Sequence, residues 1–234
     1  MTGFFRFPRT PHMAWLGNGE PRDDKVLSTA EAAELLSGEV VLEEKVDGAN
    51  LGFSLGPAGE VRAQNRGQYL TPPHTGQFAR LPAWLAMHSD AVAEALLEHS
   101  GDGLMLFGEW CAARHSLAYT RLPDWFLLFD VLELGTGRFW SSTRRNVLAY
   151  RMGLSTTPQV GRGRYTLGQL KSLVTTQISK FRDGPLEGIV IRRENANWHE
   201  RRAKLVQAGF TQPITEHWRS RRIKWNRLDS TATA

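Results

Sequence analysis

The sequence contains a single cysteine, Cys111, among 234 residues. One thiol cannot form a disulfide within the chain, nor can it supply a zinc site built from several cysteines. Long apolar runs are also missing, since none approaches the roughly 20 residues that a membrane-spanning helix needs. The N-terminal stretch MTGFFRFPRTPH lacks a long apolar core and a small-residue cleavage site, so we expect no signal peptide. These absences favour a cytoplasmic protein without a membrane partner.

The composition is otherwise that of a globular protein, with 41% hydrophobic, 23% charged and 10% aromatic residues. The net charge of +5 is unevenly distributed. The segment from Arg192 to Arg227 contains ten basic residues and only three acidic ones. Such clusters often contact polyanions, although a solvated arginine-rich surface would have the same composition. Both interpretations stay open at this point.

We expect one domain over residues 1–234, because no internal repeat or low-complexity block divides the chain. Residues 1–27 are rich in proline, glycine and charge and are expected to be irregular. Ser28 and Glu31 have the spacing of a capping box, which predicts a helix to about Ser37. Residues 211–234 predict a basic, helical C-terminal extension.

Short β-prone runs and helical periodicities fill the region between these ends. The runs VVLEEKV, NLGFSL and EVRAQN are separated by turn residues, which predicts an antiparallel meander over residues 40–65. Further strands are expected at residues 104–110, 125–132, 187–193 and 202–206, and helices at 82–99, 143–152 and 167–178. Because strict βαβ alternation is absent, the sequence predicts an α+β fold with antiparallel sheets.

The hexapeptide KVDGAN places Lys45 at the end of a predicted strand, before the turn residues Asp47 and Gly48. Taken alone, this tetrapeptide KxDG favours an ordinary hairpin with one exposed lysine. A functional interpretation requires a lysine nucleophile. A strand end would fix Lys45, and partial burial or nearby cations would lower its pKa so that the neutral amine can attack phosphorus.

Four charged residues follow in a fixed order, each at the end of a predicted strand or inside one. Glu109 lies near the end of an apolar strand in FGEW, and Asp130 ends the next apolar strand. Glu187 opens a third strand in EGIVI, and Lys204 lies within a fourth. Each alone has an ordinary explanation, because boundary acids and edge lysines are usually solvated. Coincidence is a poor explanation for all of them together, in this order after Lys45.

These motifs resemble the covalent nucleotidyltransferase superfamily, and most closely the ATP-dependent RNA ligases, over Val41 to about Trp218. The resemblance implies a nucleotidyltransferase domain, an ATP-grasp-like ligase fold of antiparallel sheets flanked by helices. It implies ATP as the substrate that leaves AMP on Lys45, with Mg²⁺ or Mn²⁺ as the metal. Asn50 extends the first motif to the KxDGxN form of RNA ligases.

The resemblance also implies a role for each matching residue. Lys45, Glu187 and Lys204 would be catalytic, and Glu187 and Asp130 would serve the metal. Glu109 would bind the ribose hydroxyl, and Phe129 would stack on adenine. The full nucleotide site would comprise Glu44, Lys45, Asn50, Arg66, Glu109, Phe129, Glu187 and Lys204. The basic region would bind the nucleic-acid strand through Arg192, Arg219, Arg221, Arg222 and Lys224.

The sequence departs from the family pattern in two places. The last motif commonly reads KxK, but Val206 stands at the second lysine, and Arg202 or an arginine of the tail is a candidate substitute. Only 30 residues follow Lys204, too few for the OB domain that DNA ligases and capping enzymes carry. We therefore expect a nucleotidyltransferase domain with no OB domain. Three tryptophans among the basic residues are candidates for base stacking or for packing: Trp198, Trp218 and Trp225.

The implied activity is the joining of 5′-phosphate and 3′-hydroxyl RNA ends through lysyl-AMP and an adenylylated 5′ end. RNA strand ends are the expected partners, with DNA ends and an end-healing kinase or phosphatase as further candidates. Two alternatives stay open: a DNA nick-sealing or capping-type enzyme, and an inactive nucleic-acid-binding module. Asn50 and the missing OB domain count against the first. The second must explain the joint retention of Lys45, Glu109, Glu187 and Lys204.

Overall fold

A computed structural model of the chain describes residues 4–18, 21, 25–97, 103–210 and 223–230. Two antiparallel sheets form its frame. The first contains, in spatial order, β7 (Gln159–Gly163), β1 (Val40–Lys45), β8 (Gly188–Glu194) and β9 (His199–Val206). The second contains β3 (Val61–Gln64), β2 (Ala49–Leu55), β4 (Leu104–Trp110), β5 (Phe126–Glu133) and β6 (Arg138–Phe139). The α+β class with antiparallel sheets is therefore confirmed.

Four α-helices pack against the sheets: α1 (Thr29–Leu35), α2 (Leu81–Leu97), α3 (Ser142–Arg151) and α4 (Leu167–Thr176). The capping box that the sequence predicts at Ser28 and Glu31 is formed, and Thr166 and Gln169 form a second one at the start of α4. Each box satisfies backbone N–H groups that a helix start would otherwise leave unpaired. Within the described ranges, no helix combines the length and the apolar character needed to cross a membrane.

Alternation along the strands of the first sheet separates its core from a polar face. Leu42, Ile189 and Leu205 point to one side, where they pack with residues of α1 and α4. The neighbouring positions in each strand point to the other side, because successive strand residues face opposite ways. Glu43, Lys45, Val190, Arg192, Arg202 and Lys204 therefore share the face that looks toward the second sheet.

The second sheet is anchored by a larger core on its outer side. Phe53, Leu106 and Phe126 pack there against Trp84 of α2, with Leu148 of α3 in the same cluster. Each of these side chains is buried, and full burial of a large apolar side chain contributes about 1.5–3 kcal/mol. Helices on the outer faces thus leave the space between the two sheets for polar residues.

The predicted meander is wrong at its first connection. β1 pairs with β7 and β8, whereas β2 pairs with β3 and β4, so the two strands lie in different sheets. The Asp47 carboxylate accepts hydrogen bonds from the backbone N–H groups of Ser116 and Leu117, at 2.6 and 2.9 Å. These contacts fix the chain to the loop after β4, so it passes from sheet to sheet at this point. The β2–β3 hairpin is confirmed, with Gly59 at φ 81° in its turn.

Three further elements differ from the sequence prediction. The two-residue strand β6 was not predicted. The strand β7 was not predicted either, because its sequence QVGRG has two glycines and only one β-branched residue. The predicted C-terminal helix does not include residues 223–230, which are not helical and bridge to Ala113 and Leu122. Residues 211–222 lie outside the described ranges. The division into a single domain stays a prediction.

Candidate active site

A cavity of about 420 Å³ lies between the two sheets, a volume suited to a small molecule. The first sheet supplies Lys45 and Lys204 to its lining, and the second supplies Glu109 and Phe129. Other predicted site residues in the lining are Glu44, Asn50, Arg66, Asp130 and Arg192. Residues as far apart in sequence as Glu44 and Lys204 thus meet in one cleft, as the motif order predicted. Their chemical roles stay predictions.

Strand register explains why the first and last motifs meet. Lys45 lies opposite Gly188 in the β1–β8 ladder, directly after Glu187. Lys204 lies opposite Val190 in the β8–β9 ladder. The Lys204 backbone also bonds to the N-terminal segment, with its N–H donating to Pro11 O (2.8 Å) and its carbonyl accepting from the Met13 N–H (2.7 Å). Both lysines therefore sit on fixed backbone.

The Lys45 ammonium lies 2.7 Å from the Glu187 carboxylate. Burial disfavours the charged lysine, but the carboxylates of Glu187, Glu109 and Asp47 outweigh it and raise the pKa of Lys45. The expectation that partial burial or nearby cations would lower this pKa is wrong. The physical reason is that the nearest charges around Lys45 are negative. Lys45 is therefore protonated.

Glu109 lies beside the turn that follows Lys45. One of its carboxylate oxygens accepts a hydrogen bond from the Gly48 N–H at 2.9 Å. Burial raises the pKa of Glu109 to about 7, with the charge of Lys45 opposing and that of Glu187 adding to the rise. Burial also raises the pKa of Glu187. The described part of the site therefore carries buried negative charge that Lys45 alone does not offset.

This surplus of carboxylate fits a divalent cation. Mg²⁺ is usually held by one or two carboxylates together with phosphate oxygens and water, not by a complete protein cage. In keeping with that, the described residues form no cluster of three or more His, Cys, Asp or Glu side chains that could hold a metal alone. Glu187 is the predicted metal residue that fits this description.

Asp130 does not fit the metal role that the sequence predicted for it. Its carboxylate is fully buried, 2.9 Å from the Arg192 guanidinium and in contact with that of Arg202. Burial raises its pKa, but the two arginines outweigh burial and lower the pKa to about 2. A carboxylate whose charge is already balanced by two guanidinium groups is a poor ligand for a metal ion. Asp130 is thus a structural anion at the side of the cavity.

Arg192 also lies elsewhere than the sequence predicted. Its side chain is 1% exposed and reaches Glu194 at 3.4 Å and Glu43 at 3.7 Å, besides Asp130. A buried arginine with three carboxylate neighbours cannot serve as a surface contact for a strand, so that prediction is wrong. Alternation along β8 accounts for this, because it turns Arg192 inward while Arg193 reaches the outside.

A buried ion pair that the sequence did not reveal connects the two sheets. Arg145 of α3 is fully buried, and its guanidinium lies 2.5 Å from Glu43 of β1. The same guanidinium donates to the Phe129 carbonyl of β5 at 2.6 Å. The ring of Phe129 packs edge-on against Phe7, with centroids 5.2 Å apart. Charge and aromatic type were visible in the sequence, but burial and pairing were not.

The remaining predicted residues differ in how they meet the cavity. The Glu44 carboxylate turns to the far side of β1, where it accepts from the Ser179 hydroxyl and the Lys180 N–H. Glu44 is therefore placed to line the cavity through its backbone. The Asn50 side-chain oxygen is buried without a hydrogen-bond partner among the described residues, so it is available to a ligand. Arg66 is exposed in the cavity lining.

The structure buries an apolar side chain at the second position of the last motif. Val206 is 5% exposed and apolar, while Arg202, on the same face of β9, is bound to Asp130. Lys224 is exposed in the segment 223–230. Arg219, Arg221 and Arg222, with Trp218, lie outside the described residues. Phe7 and Thr10 line the cavity from the N-terminal segment, which the sequence predicted only as irregular.

Comparison with known proteins identifies the family. The model of the RNA ligase family matches residues 38–206. No curated protein matches the sequence. Among solved structures, the chain is similar to the Naegleria gruberi RNA ligase with PPi (15% identity, TM-score 0.60, covering 74% of this chain and 51% of that one). It is also similar to variants of that ligase with ATP and Mn (16%, TM-score 0.57, covering 76% and 52%) and with AMP and Mn (14%, TM-score 0.59, covering 88% and 63%).

These structural matches establish likeness of fold, and this chain spans between about half and two thirds of the length of the Naegleria protein. The family model covers well over half of the present chain and includes every cavity residue from Glu43 to Lys204. The chain belongs to the RNA ligase family.

Proposed function

We propose that this protein is an ATP-dependent RNA ligase that works through a covalent lysyl-AMP. The observation that supports this most strongly is the position of Lys45. Lys45 is the last residue of β1, and its amine lies in a nucleotide-sized cavity next to Glu187 and Glu109. The carboxylates beside it set the charge state of the amine, and a nucleophile needs a charge environment of this kind that substrate binding can change.

ATP would bind with its base against Phe129 and its ribose near Glu109. Phe129 is held by Arg145 and Phe7, so its ring is preorganised for stacking. The Asn50 oxygen can accept a hydrogen bond from the nucleotide, and Lys204 would supply positive charge to the α-phosphate. The ATP and AMP that the Naegleria structures contain are consistent with this nucleotide.

Mg²⁺ or Mn²⁺ would be held by Glu187 together with the ATP phosphates, and it would supply positive charge to the phosphate oxygens and the leaving group. Before the Lys45 amine can attack, it must lose its proton, and the residues around it control that loss. Since Glu187 raises the pKa of Lys45, any neutralisation of the Glu187 charge lowers that pKa. The Lys45 amine would lose its proton only when the nucleotide complex is assembled.

Three steps would carry one adenylyl group from ATP to Lys45, from Lys45 to the RNA 5′-phosphate, and finally into free AMP. First, the neutral Lys45 nitrogen forms a bond to the α-phosphorus while the bond to pyrophosphate breaks. Next, a 5′-phosphate oxygen of RNA attacks the same phosphorus, and the bond to Lys45 breaks. Finally, a 3′-hydroxyl oxygen attacks the activated 5′-phosphate and loses its proton, while AMP departs. Lys45 is restored for another cycle.

The test is joining of 5′-phosphorylated RNA with ATP and Mg²⁺ or Mn²⁺, run beside matched DNA strands. We expect RNA joining that requires ATP, and none with Lys45→Ala. Joining of DNA but not RNA would support the DNA nick-sealing alternative. Transfer of AMP to no strand at all, by a protein that still binds RNA, would support the inactive binding module. The end-healing kinase or phosphatase stays a prediction.

A further inference from the structure

The C-terminal segment 223–230 is fixed against the loop that follows β4. Asn226 is 4% exposed, and its side-chain amide donates to the Cys111 carbonyl at 2.8 Å. Its side-chain oxygen accepts from the Tyr119 N–H at 2.9 Å, and its own N–H donates to the Ala112 carbonyl at 2.9 Å. Asn226 thus ties the segment to this loop through its backbone and through both polar atoms of its side chain.

The same loop supports the turn that directly follows Lys45, which we call the Lys45 turn. Asp47, two residues after Lys45, accepts from the N–H groups of Ser116 and Leu117, and its own N–H donates to the Tyr119 hydroxyl at 2.8 Å. Residues exposed on this loop and on the segment that covers it therefore lie beside the Lys45 turn. A polymer whose end must reach Lys45 would pass here.

The outward side of this region is basic. Asn226 is buried, whereas Trp225 and Arg227 on either side of it are exposed. Arg114 adjoins the segment, because its N–H donates to the Lys224 carbonyl at 2.8 Å. Arg114, Lys224 and Arg227 are all exposed. None of the three pairs with a carboxylate among the described residues.

An arginine between two tryptophans adds an aromatic surface. The Arg80 guanidinium lies 4.9 Å from the ring centroid of Trp125 and 4.4 Å from that of Trp225. Such contacts hold both indoles and the cation in a fixed arrangement. Trp225 remains 36% exposed. Cations beside an exposed, immobilised indole are the combination that binds single-stranded nucleic acid, through phosphate contacts and base stacking.

We propose that this basic-aromatic face, made of Arg80, Arg114, Lys224, Trp225 and Arg227, binds the RNA strand whose 5′-phosphate is delivered to the lysyl-AMP. The inference rests on the proposed ligase function. An acidic protein partner is disfavoured for two reasons. The exposed indole adds a surface for base stacking, and Arg114 lies two residues before Ser116, which bonds to Asp47 of the Lys45 turn. Of the face residues, only Lys224 belongs to the strand-binding set that the sequence predicted, and Arg219, Arg221 and Arg222 of that set lie outside the described residues.

The experiment measures binding of a labelled single-stranded RNA with a 5′-phosphate to the full chain by fluorescence anisotropy, at several salt concentrations. The double variant Arg114→Glu with Arg227→Glu reverses two exposed charges on the face. We expect its dissociation constant to rise about tenfold or more, and the salt slope to flatten by about 0.7 for each lost phosphate contact. The matched control, Arg164→Glu with Lys171→Glu, makes the same charge change at exposed positions on and next to α4.

Binding by the control variant should change less than about twofold. If the control loses as much affinity as the face variant, general charge explains binding and the proposal is overturned. Unchanged binding by the face variant overturns it too, and leaves an acidic protein as the partner of this face. Lysyl-AMP formation from ATP without RNA is measured in parallel. Absence of that reaction in the wild-type chain refutes the ligase function, whereas RNA binding that does not depend on the face residues refutes only the face.

Discussion

The Nζ atom of Lys45 lies 2.7 Å from the carboxylate of Glu187, at the start of the neighbouring strand. The contact keeps the lysine protonated, so the proposed nucleophile is held in an unreactive form. Chemistry would begin only when that carboxylate is engaged elsewhere. The ion pair would therefore couple the reactivity of Lys45 to the binding of substrate.

Glu187→Gln should make Lys45 more reactive in the absence of ATP. Removing the neighbouring negative charge destabilises the ammonium and lowers the pKa of Lys45, so the free amine is more abundant at a given pH. The rate of Lys45 acylation, measured by peptide mass spectrometry, should rise several-fold. Lys171, exposed on α4, is the internal control and should react equally in both proteins. An unchanged rate at Lys45 would show that Glu187 does not set its pKa.

Binding of adenosine should strengthen as the pH rises through about 7. The raised pKa of Glu109 means that its carboxyl is mostly protonated below this pH and ionised above it. An ionised carboxylate accepts a stronger hydrogen bond from a ribose hydroxyl than a neutral acid does. Calorimetric titrations across this range should show the trend in the wild type and a flat profile in Glu109→Gln. The same slope in both proteins would exclude Glu109 as the ribose ligand.

Asp130→Asn should destabilise the fold without weakening metal binding. The substitution leaves Arg192 and Arg202 without their shared carboxylate, a loss of about 3–5 kcal/mol for a buried pair. Urea unfolding measures it. Because the pKa of Asp130 is lowered to about 2, its contribution is complete above its ordinary pKa near 3.8 and disappears as the pH falls through about 2. Reduced Mn²⁺ affinity in the folded variant would restore the metal role.

Asn226→Ala should loosen the loop after β4, which bonds to Asp47 in the Lys45 turn. The change leaves the buried Tyr119 N–H and Cys111 carbonyl unpaired, which costs about 2 kcal/mol or more of unfolding free energy. Hydrogen exchange at the Tyr119 amide should accelerate, and lysyl-AMP formation should slow. Leu228→Ala, at an exposed position in the same segment and outside the basic-aromatic face, is the control for both measurements. Equal exchange at Tyr119 in the two variants would refute the support role of Asn226.

Local features of the fold were predictable because local sequence determines them. Both capping boxes and the limits of β4 follow from residues within a few positions of each other. Strand partners were not predictable in this way. β1 pairs with β8, which lies more than 140 residues along the chain, and nothing in the Asp47-Gly48 turn signals that β2 leaves for another sheet.

The candidate site was predictable to the extent that motifs mark it. The order of Lys45, Glu109, Phe129 and Lys204 indicated one cleft, and all of them line it. Charge states were not predictable, because they depend on distances that the sequence does not contain. The sequence could not show that Arg192 and Arg202 bind Asp130, or that carboxylates surround Lys45.

The most direct test of a lysine-based nucleotidyl transfer is the intact mass of the protein after incubation with ATP and Mg²⁺ or Mn²⁺, without RNA. We predict a gain of one AMP in the wild type, located on Lys45 by peptide mapping. Lys45→Ala should gain nothing, and Lys45→Arg should also fail, because a guanidinium stays protonated and is a poor nucleophile. AMP on a lysine of the Lys45→Ala variant, or no adduct in the wild type, would contradict the account.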